Sequence, residues 1–203
     1  MRVLPCADSG LLVELDDLDE VRRLHAALRA APLPGVLDLV PAARTLLLRL
    51  DPLRADAEEI EQAVRQVRPA EATSHDSESL VIPVTYDGED LDAVARLTGL
   101  TPGQVIAEHT GVEWTVAFGG FAPGFGYLTC DSNRLEVPRR TESRTRVPAG
   151  AVGLAGAFSG VYPRESPGGW QLIGRTELEM WRVDRDPPAL LRPGVRVRFQ
   201  EVT

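Results

Sequence analysis

Lysine is missing from this chain of 203 residues: all 22 of its basic residues are arginine. That excludes Schiff-base chemistry on a lysine, a phosphate-loop lysine and a lysine general base. Cysteine is scarce, with Cys6 and Cys130 far apart, so two reduced thiols are expected rather than a disulfide framework. No apolar run approaches the roughly 20 residues that a membrane span requires. The opening Met-Arg-Val-Leu-Pro-Cys-Ala-Asp also lacks an apolar signal core, so a soluble, cytoplasmic protein with no membrane association is expected. Positive charge is in deficit at a formal net −8, which argues against non-specific binding to nucleic acid or anionic lipid. Small-molecule or protein partners are expected instead. The three histidines, His25, His75 and His109, are scattered without zinc-like spacing, so no metal site is expected from them. There is no nucleophile elbow and no two-histidine metal motif.

What is present is an ordinary globular composition, 43% hydrophobic and 26% charged, punctuated by 18 Gly and 16 Pro. Those turn formers favour many short elements over a few long helices. Strands are expected over 2–5 and Leu11–Leu15, then a helix from Asp17 to Ala30 with Val21, Leu24, Ala27 and Leu28 at helical spacing. Strands over Val36–Val40 and Thr45–Leu50 and a helix over Ala57–Val67 complete a compact α+β unit, with helices on one face of an antiparallel sheet. Residues 69–79 are polar and lack either period, so a linker is expected there. This gives a small α+β domain over 1–75 and a second domain over 79–203. The second opens with a strand over Leu80–Tyr86, whose Pro83 suits an edge or bulge. A helix over Asp90–Leu97 follows, and another opens at Thr101-Pro-Gly-Gln104 with a capping box. From Trp114 onward, short apolar runs separated by Gly and Pro predict a sandwich or small barrel. In the last run Val195, Val197 and Phe199 alternate with Arg196 and Arg198, the pattern of a half-exposed strand.

Three stretches carry candidate chemistry. Phe118-Gly-Gly-Phe-Ala-Pro-Gly-Phe-Gly-Tyr-Leu128 concentrates the scarce aromatics among glycines. It reads either as a binding loop with apolar walls or as a tight barrel corner. Arg134, Arg139, Arg140, Arg144 and Arg146 then place five guanidinium groups in 13 residues, opposed nearby only by Asp131, Glu136 and Glu142. Paired guanidinium donors suit a carboxylate or phosphate, against the plainer reading of a solvated loop with surface ion pairs. Finally, Tyr162 precedes Ser166-Pro-Gly-Gly-Trp170, a turn signal whose amides and hydroxyl suit an oxyanion. His109 ends a helix just before the first stretch and is a candidate acid or base near neutral pH.

In this order and spacing the chain resembles the family formed by the B subunit of 5-oxoprolinase, also described as allophanate hydrolase subunit 1 and as kinase A inhibitor proteins. The residues carrying the resemblance are Pro5-Cys-Ala-Asp-Ser9, Gly120 to Leu128, Pro138-Arg-Arg, Arg144-Thr-Arg-Val-Pro-Ala-Gly150, and Tyr162-Pro through Ser166-Pro-Gly-Gly-Trp170 to Gly174-Arg-Thr176. The chain departs from the family pattern at Ala7, where Gly is usual, and at Phe158-Ser159, where Gln-Thr is common. The resemblance implies an N-terminal α+β domain followed by a mainly-β cyclophilin-like barrel. It also implies a component of a larger enzyme, a 5-oxoprolinase. In that enzyme it works with the A subunit and with the C subunit, the latter similar to allophanate hydrolase subunit 2, in the ATP-dependent opening of 5-oxo-L-proline to L-glutamate. ATP, with Mg, is then shared with or bound by those partners. On that basis Arg144 or Arg146 is expected to hold the carboxylate of a small lactam. Phe121, Pro123, Gly124, Phe125, Tyr127, Tyr162 and Trp170 are expected to shape its pocket, with Ser166, Gly168 and Gly169 receiving negative charge and His109 carrying a proton. Other members imply two alternatives: an inhibitor of a sensor histidine kinase, or the first half of a carboxyltransferase site.

Overall fold

The computed structural model describes residues 1–67 and 79–203. It divides into two compact units, Met1–His75 and Asp76–Thr203. The linker expected over 69–79 lies outside the described residues, except that Ser79 already opens a strand.

In the first unit, β1 (Arg2–Pro5), β2 (Gly10–Glu14), β3 (Val36–Pro41) and β4 (Thr45–Leu50) form an antiparallel sheet in the order β1-β2-β4-β3. Helices α1 (Leu18–Ala30) and α2 (Ala57–Gln66) start where aspartates cap them. Asp17 accepts from the Glu20 amide at 2.8 Å, and Asp56 accepts from Glu58 and Glu59. Val21, Leu24 and Leu28 of α1 and Ile60 and Val64 of α2 bury against one sheet face, made by the alternate residues Leu11, Val13, Leu46, Leu48 and Leu50.

The second unit is built on a seven-stranded sheet. Its strands are β5 (Ser79–Val84), β6 (Trp114–Gly119), β7 (Gly126–Thr129), β9 (Ala151–Ala155), β10 (Phe158–Val161), β12 (Gln171–Arg175) and β13 (Arg196–Glu201), ordered β12-β9-β10-β7-β6-β13-β5. Only β5 and β13 run parallel. Pro83 sits on β5, the sheet's last strand, where its missing amide proton breaks no ladder on the open side. Just beyond β5 the two ends of the sheet meet: Thr85 and Arg175 exchange reciprocal backbone hydrogen bonds of 2.9 Å, which nearly closes a barrel. Two further short strands, β8 (Arg144–Val147) and β11 (Ser166–Gly168), pair separately. The Ser166-Pro-Gly-Gly stretch is thus an extended strand with a bulge rather than a turn, because β8 supplies a partner for its backbone.

Helices α3 (Leu91–Thr98) and α4 (Pro102–Gly111) pack on β12 and β13. The α4 capping box is present, with Thr101 and Gln104 satisfying each other's backbone amides. Ile82, Val84, Trp114, Val116, Leu128, Leu154, Ile173, Val197 and Phe199 fill the barrel core, joined by Val94 and Val105 from the helices. Val195, Val197 and Phe199 are buried while Arg196 and Arg198 are exposed, as the alternation predicts.

The closing seam requires a glycine. A Cβ on Gly174 would meet the Thr85 carbonyl oxygen at 2.5 Å and a Val84 methyl at 2.9 Å. Gly174→Ala is expected to cost about 1–3 kcal/mol by forcing the seam apart. All three tryptophans lie in this unit, so their fluorescence in a denaturant titration reads the lowered midpoint directly.

Candidate functional site

The stretch 118–128 forms the end of β6, a tight loop and β7. Ala122 donates its amide to the Gly120 carbonyl at 2.7 Å, Phe125 to Ala122 at 3.0 Å, and Gly120 to Phe125 at 3.2 Å. This winding holds Phe121 at φ +66°, with the residue 56% exposed. A left-handed conformation costs a bulky residue about 1–3 kcal/mol and persists only where the surroundings impose it, which is common at binding sites.

Below Phe121, Phe125 is the hub of an aromatic box. Its ring meets Phe121 at 5.3 Å, Tyr127 at 5.1 Å, Tyr162 at 5.4 Å and Trp170 at 5.3 Å, all edge to face. Tyr127 also stacks on Phe118 at 4.5 Å and reaches Phe158 and Trp170. Seven of the chain's eleven aromatic residues thus share one network. The stretch is a barrel corner whose aromatics fill a core cluster: Phe125, Tyr162 and Trp170 are buried in it with Val147, Ala151, Ala155 and Leu172, and Phe121 is its exposed rim. Burial raises the Tyr127 and Tyr162 hydroxyl pKa values; nearby Arg139 opposes the rise at both, and a Trp170 backbone hydrogen bond opposes it at Tyr162. The hydroxyls therefore stay protonated at neutral pH.

The other predicted residues divide. Gly124, at φ +84°, turns away from the box, and a Cβ there would meet the Trp181 Cβ at 2.7 Å. Pro123 is exposed on the loop. The Ser166 hydroxyl donates to the Arg164 carbonyl at 3.1 Å. Gly168 lies directly against the Tyr162 hydroxyl, where no Cβ fits. Gly169 is buried, and its carbonyl accepts from the Arg140 amide at 2.8 Å. A Cβ there would meet Ser143 Oγ at 2.9 Å, while the Arg139 Nη2 and Nε would lie in ordinary contact at 3.5 and 3.6 Å.

The arginine cluster is neutralised by acids remote in sequence rather than by Asp131, Glu136 or Glu142. Asp90, only 3% exposed, accepts from Arg140 at 2.6 Å and Arg144 at 2.9 Å through Oδ1, and from the Leu172 amide at 2.7 Å through Oδ2. Burial works against its charge, but these hydrogen bonds and the two guanidinium charges outweigh it and hold the carboxyl below its ordinary pKa. Arg144 also meets Glu89 at 3.1 Å, Arg134 pairs with Glu108, and Arg146 pairs with Glu165 at 2.6 Å on the surface, its side chain 76% exposed. Arg144 and Arg146 are therefore already engaged, which weakens the carboxylate role expected of them. Two buried donors, Arg140 Nε and Arg144 Nη1, have no partner among the described residues. The Arg139 guanidinium forms no hydrogen bond or ion pair among the described residues.

His109 is not placed for the expected proton transfer. It is fully buried, stacked on Phe199 at 4.1 Å, with Nδ1 2.7 Å from the Tyr86 hydroxyl and Nε2 2.8 Å from the Ser159 hydroxyl. Burial pushes its pKa down to about 3, so the ring stays neutral in the core. Sequence reasoning missed Asp90 and Ser159. The first reads as an ordinary helix-starting acid, and the second is marked only as a departure from the family pattern. Among the described residues, no three His, Cys, Asp or Glu side chains gather to hold a metal, and no helix is long and apolar enough to cross a membrane.

Aromatic walls with guanidinium groups at their edge suit a small, flat, partly apolar ring bearing an anionic group. Fold and site together define a sheet-rich, nearly closed barrel module carrying an aromatic box. The chain belongs to the family described as carboxyltransferase domain, subdomain C and D, which matches residues 1–191. It is 44% identical to the B subunit of 5-oxoprolinase from Escherichia coli O157:H7 over 201 residues, covering 95% of this chain and 92% of that protein. The crystal structure of TTHA0988 is 39% identical with a TM-score of 0.79 over 96% of this chain, which spans 40% of that longer protein. The urea carboxylase of Kluyveromyces lactis matches 99% of this chain with a TM-score of 0.80, and this chain spans 22% of it; at 20% identity the likeness is one of fold.

Proposed function

We propose that this chain is a cytoplasmic component of an ATP-dependent 5-oxoprolinase complex, which opens 5-oxo-L-proline to L-glutamate together with its A and C subunits. The observation that carries this reading is the aromatic box edged by arginines, in a chain that resembles the B subunit of 5-oxoprolinase along nearly its whole length. A five-membered lactam offers a face for the exposed Phe121 and the half-buried Tyr127 at the rim of the box, and one carboxylate for a guanidinium. In the same reading the barrel is cyclophilin-like.

The ring-opening breaks the lactam C–N bond and adds one water. Holding and orienting the lactam is this chain's share, worth the entropy of a productive encounter. ATP and Mg fit the partners better than this chain. It has no lysine to grip phosphates, and its described residues assemble no set of three metal-binding side chains.

A second reading, half of a carboxyltransferase site, is favoured by the family match and the urea carboxylase fold. Reconstitution separates the two. Glutamate release from 5-oxoproline is expected only with ATP and both partner subunits present. Release by this chain alone overturns the shared-site reading, and dependence on a biotinylated carrier replaces it with carboxyl transfer. Loss of histidine-kinase autophosphorylation on adding the chain, without glutamate release in the full mixture, replaces it with the inhibitor.

A further inference from the structure

Most of the clustered arginines have fixed duties: Arg134, Arg140, Arg144 and Arg146 each pair with a carboxylate. Arg139 differs. Its neighbours hold the backbone in place, since the Arg140 amide donates to Gly169 at 2.8 Å and Gln171 Nε2 donates to the Pro138 carbonyl at 3.1 Å. Its guanidinium lies beside Gly169, with Nη2 and Nε 3.5 and 3.6 Å from where a Cβ on that residue would stand, and Ser143 Oγ lies closer on the same side. Gly169 immediately precedes Trp170, one wall of the box, and Gly168 touches the hydroxyl of Tyr162, another wall. The charge of Arg139 is felt at both Tyr127 and Tyr162.

We infer that Arg139, rather than Arg144 or Arg146, holds the carboxylate of the ring substrate, beside Gly169 at the edge of the aromatic box. The inference rests on the 5-oxoprolinase reading for the identity of the ring. Among the described residues Arg139 is the member of the cluster whose donors are uncommitted, so it gains a carboxylate without first giving up a partner there. Arg144 would have to release the buried Asp90, which costs far more than exchanging water at an exposed guanidinium.

The test uses the complex reconstituted from the full chain and its partner subunits. It measures ATP-dependent glutamate release, with 5-oxoprolinamide, the neutral amide analogue, as a competitive inhibitor. Arg139→Gln is expected to raise KM for 5-oxoproline roughly 10- to 100-fold, the usual range for losing a charge-assisted contact, while the inhibition constant for the neutral amide stays within about twofold. Arg139→Lys should recover part of the KM loss. An unchanged KM in Arg139→Gln, with the wild-type complex active, overturns the assignment of Arg139 and leaves the substrate reading standing. Equal weakening for the acid and the amide also overturns it, since that is what a distorted pocket would give. If the wild-type complex does not turn over 5-oxoproline at all, both the substrate reading and this assignment fall.

Discussion

Asp90→Ala is expected to destabilise the barrel unit by about 3 kcal/mol or more, the usual cost of removing one partner from a buried ion pair. The carboxylate is 3% exposed and serves three donors: the guanidinium groups of Arg140 and Arg144 and the amide of Leu172 on β12. Deleting it leaves Arg144, whose side chain is 15% exposed, with only the surface residue Glu89. It also orphans a buried backbone amide in the strand that closes the barrel. Asp90→Asn should cost less, because an amide oxygen still accepts from Leu172. The measurement is a denaturant titration followed by tryptophan fluorescence, which reports only the second unit. A lowered midpoint with an unchanged slope is expected; an unchanged midpoint in Asp90→Ala would show that water compensates the arginines fully.

Acidification should weaken the same unit in two separable windows. His109 is held neutral in the core with a pKa near 3, against 6.5 for the unburied ring. Between those values the unfolded chain binds a proton that the folded chain refuses, so stability falls as pH drops from about 6.5 towards 3. At about 1.4 kcal/mol per unit this single group sets a ceiling of roughly 5 kcal/mol. His109→Gln keeps a side chain able to bond to Tyr86 or Ser159 but does not titrate, so it should flatten this part of the profile. Asp90 acts in the same direction at lower pH. Its carboxylate is held below the ordinary range, and its contribution is lost only as pH falls through that depressed value. A stability profile of the His109→Gln variant that matches wild type between pH 6.5 and 4 would mean that the interior admits water to the ring.

Features legible in the sequence are those decided within a few residues. The Thr101/Gln104 pair caps its helix through hydrogen bonds spanning three positions, so its spacing alone predicts it, whereas Asp17, read as the first helical residue, is the cap before it. The alternation from Val195 to Phe199 declares its strand because successive side chains must face opposite sides of a sheet. The aromatic box is half legible, since Phe121, Phe125 and Tyr127 stand close together between glycines. Their meeting with Tyr162 and Trp170 follows from strands β7, β10 and β12 lying in one sheet. The misleading signals are also local ones. Ser166-Pro-Gly-Gly has the composition of a turn, but β8 offers a ladder and the chain takes it.

The sequence by itself determined that this protein has no lysine chemistry, that its positive charge is all guanidinium, and where that charge is concentrated along the chain. It could not determine which guanidinium groups remain available. Ion pairing depends on distance in space, and Asp90 reaches Arg140 and Arg144 across 50 and 54 residues only because the helix start beside it packs against β12. The same closure buries His109 under Phe199, turning a residue that reads as a proton carrier into a neutral part of the core. Tertiary structure thus decided the charge state and availability of each group, because desolvation and partner distance are set by the closed barrel rather than by any neighbour in the chain.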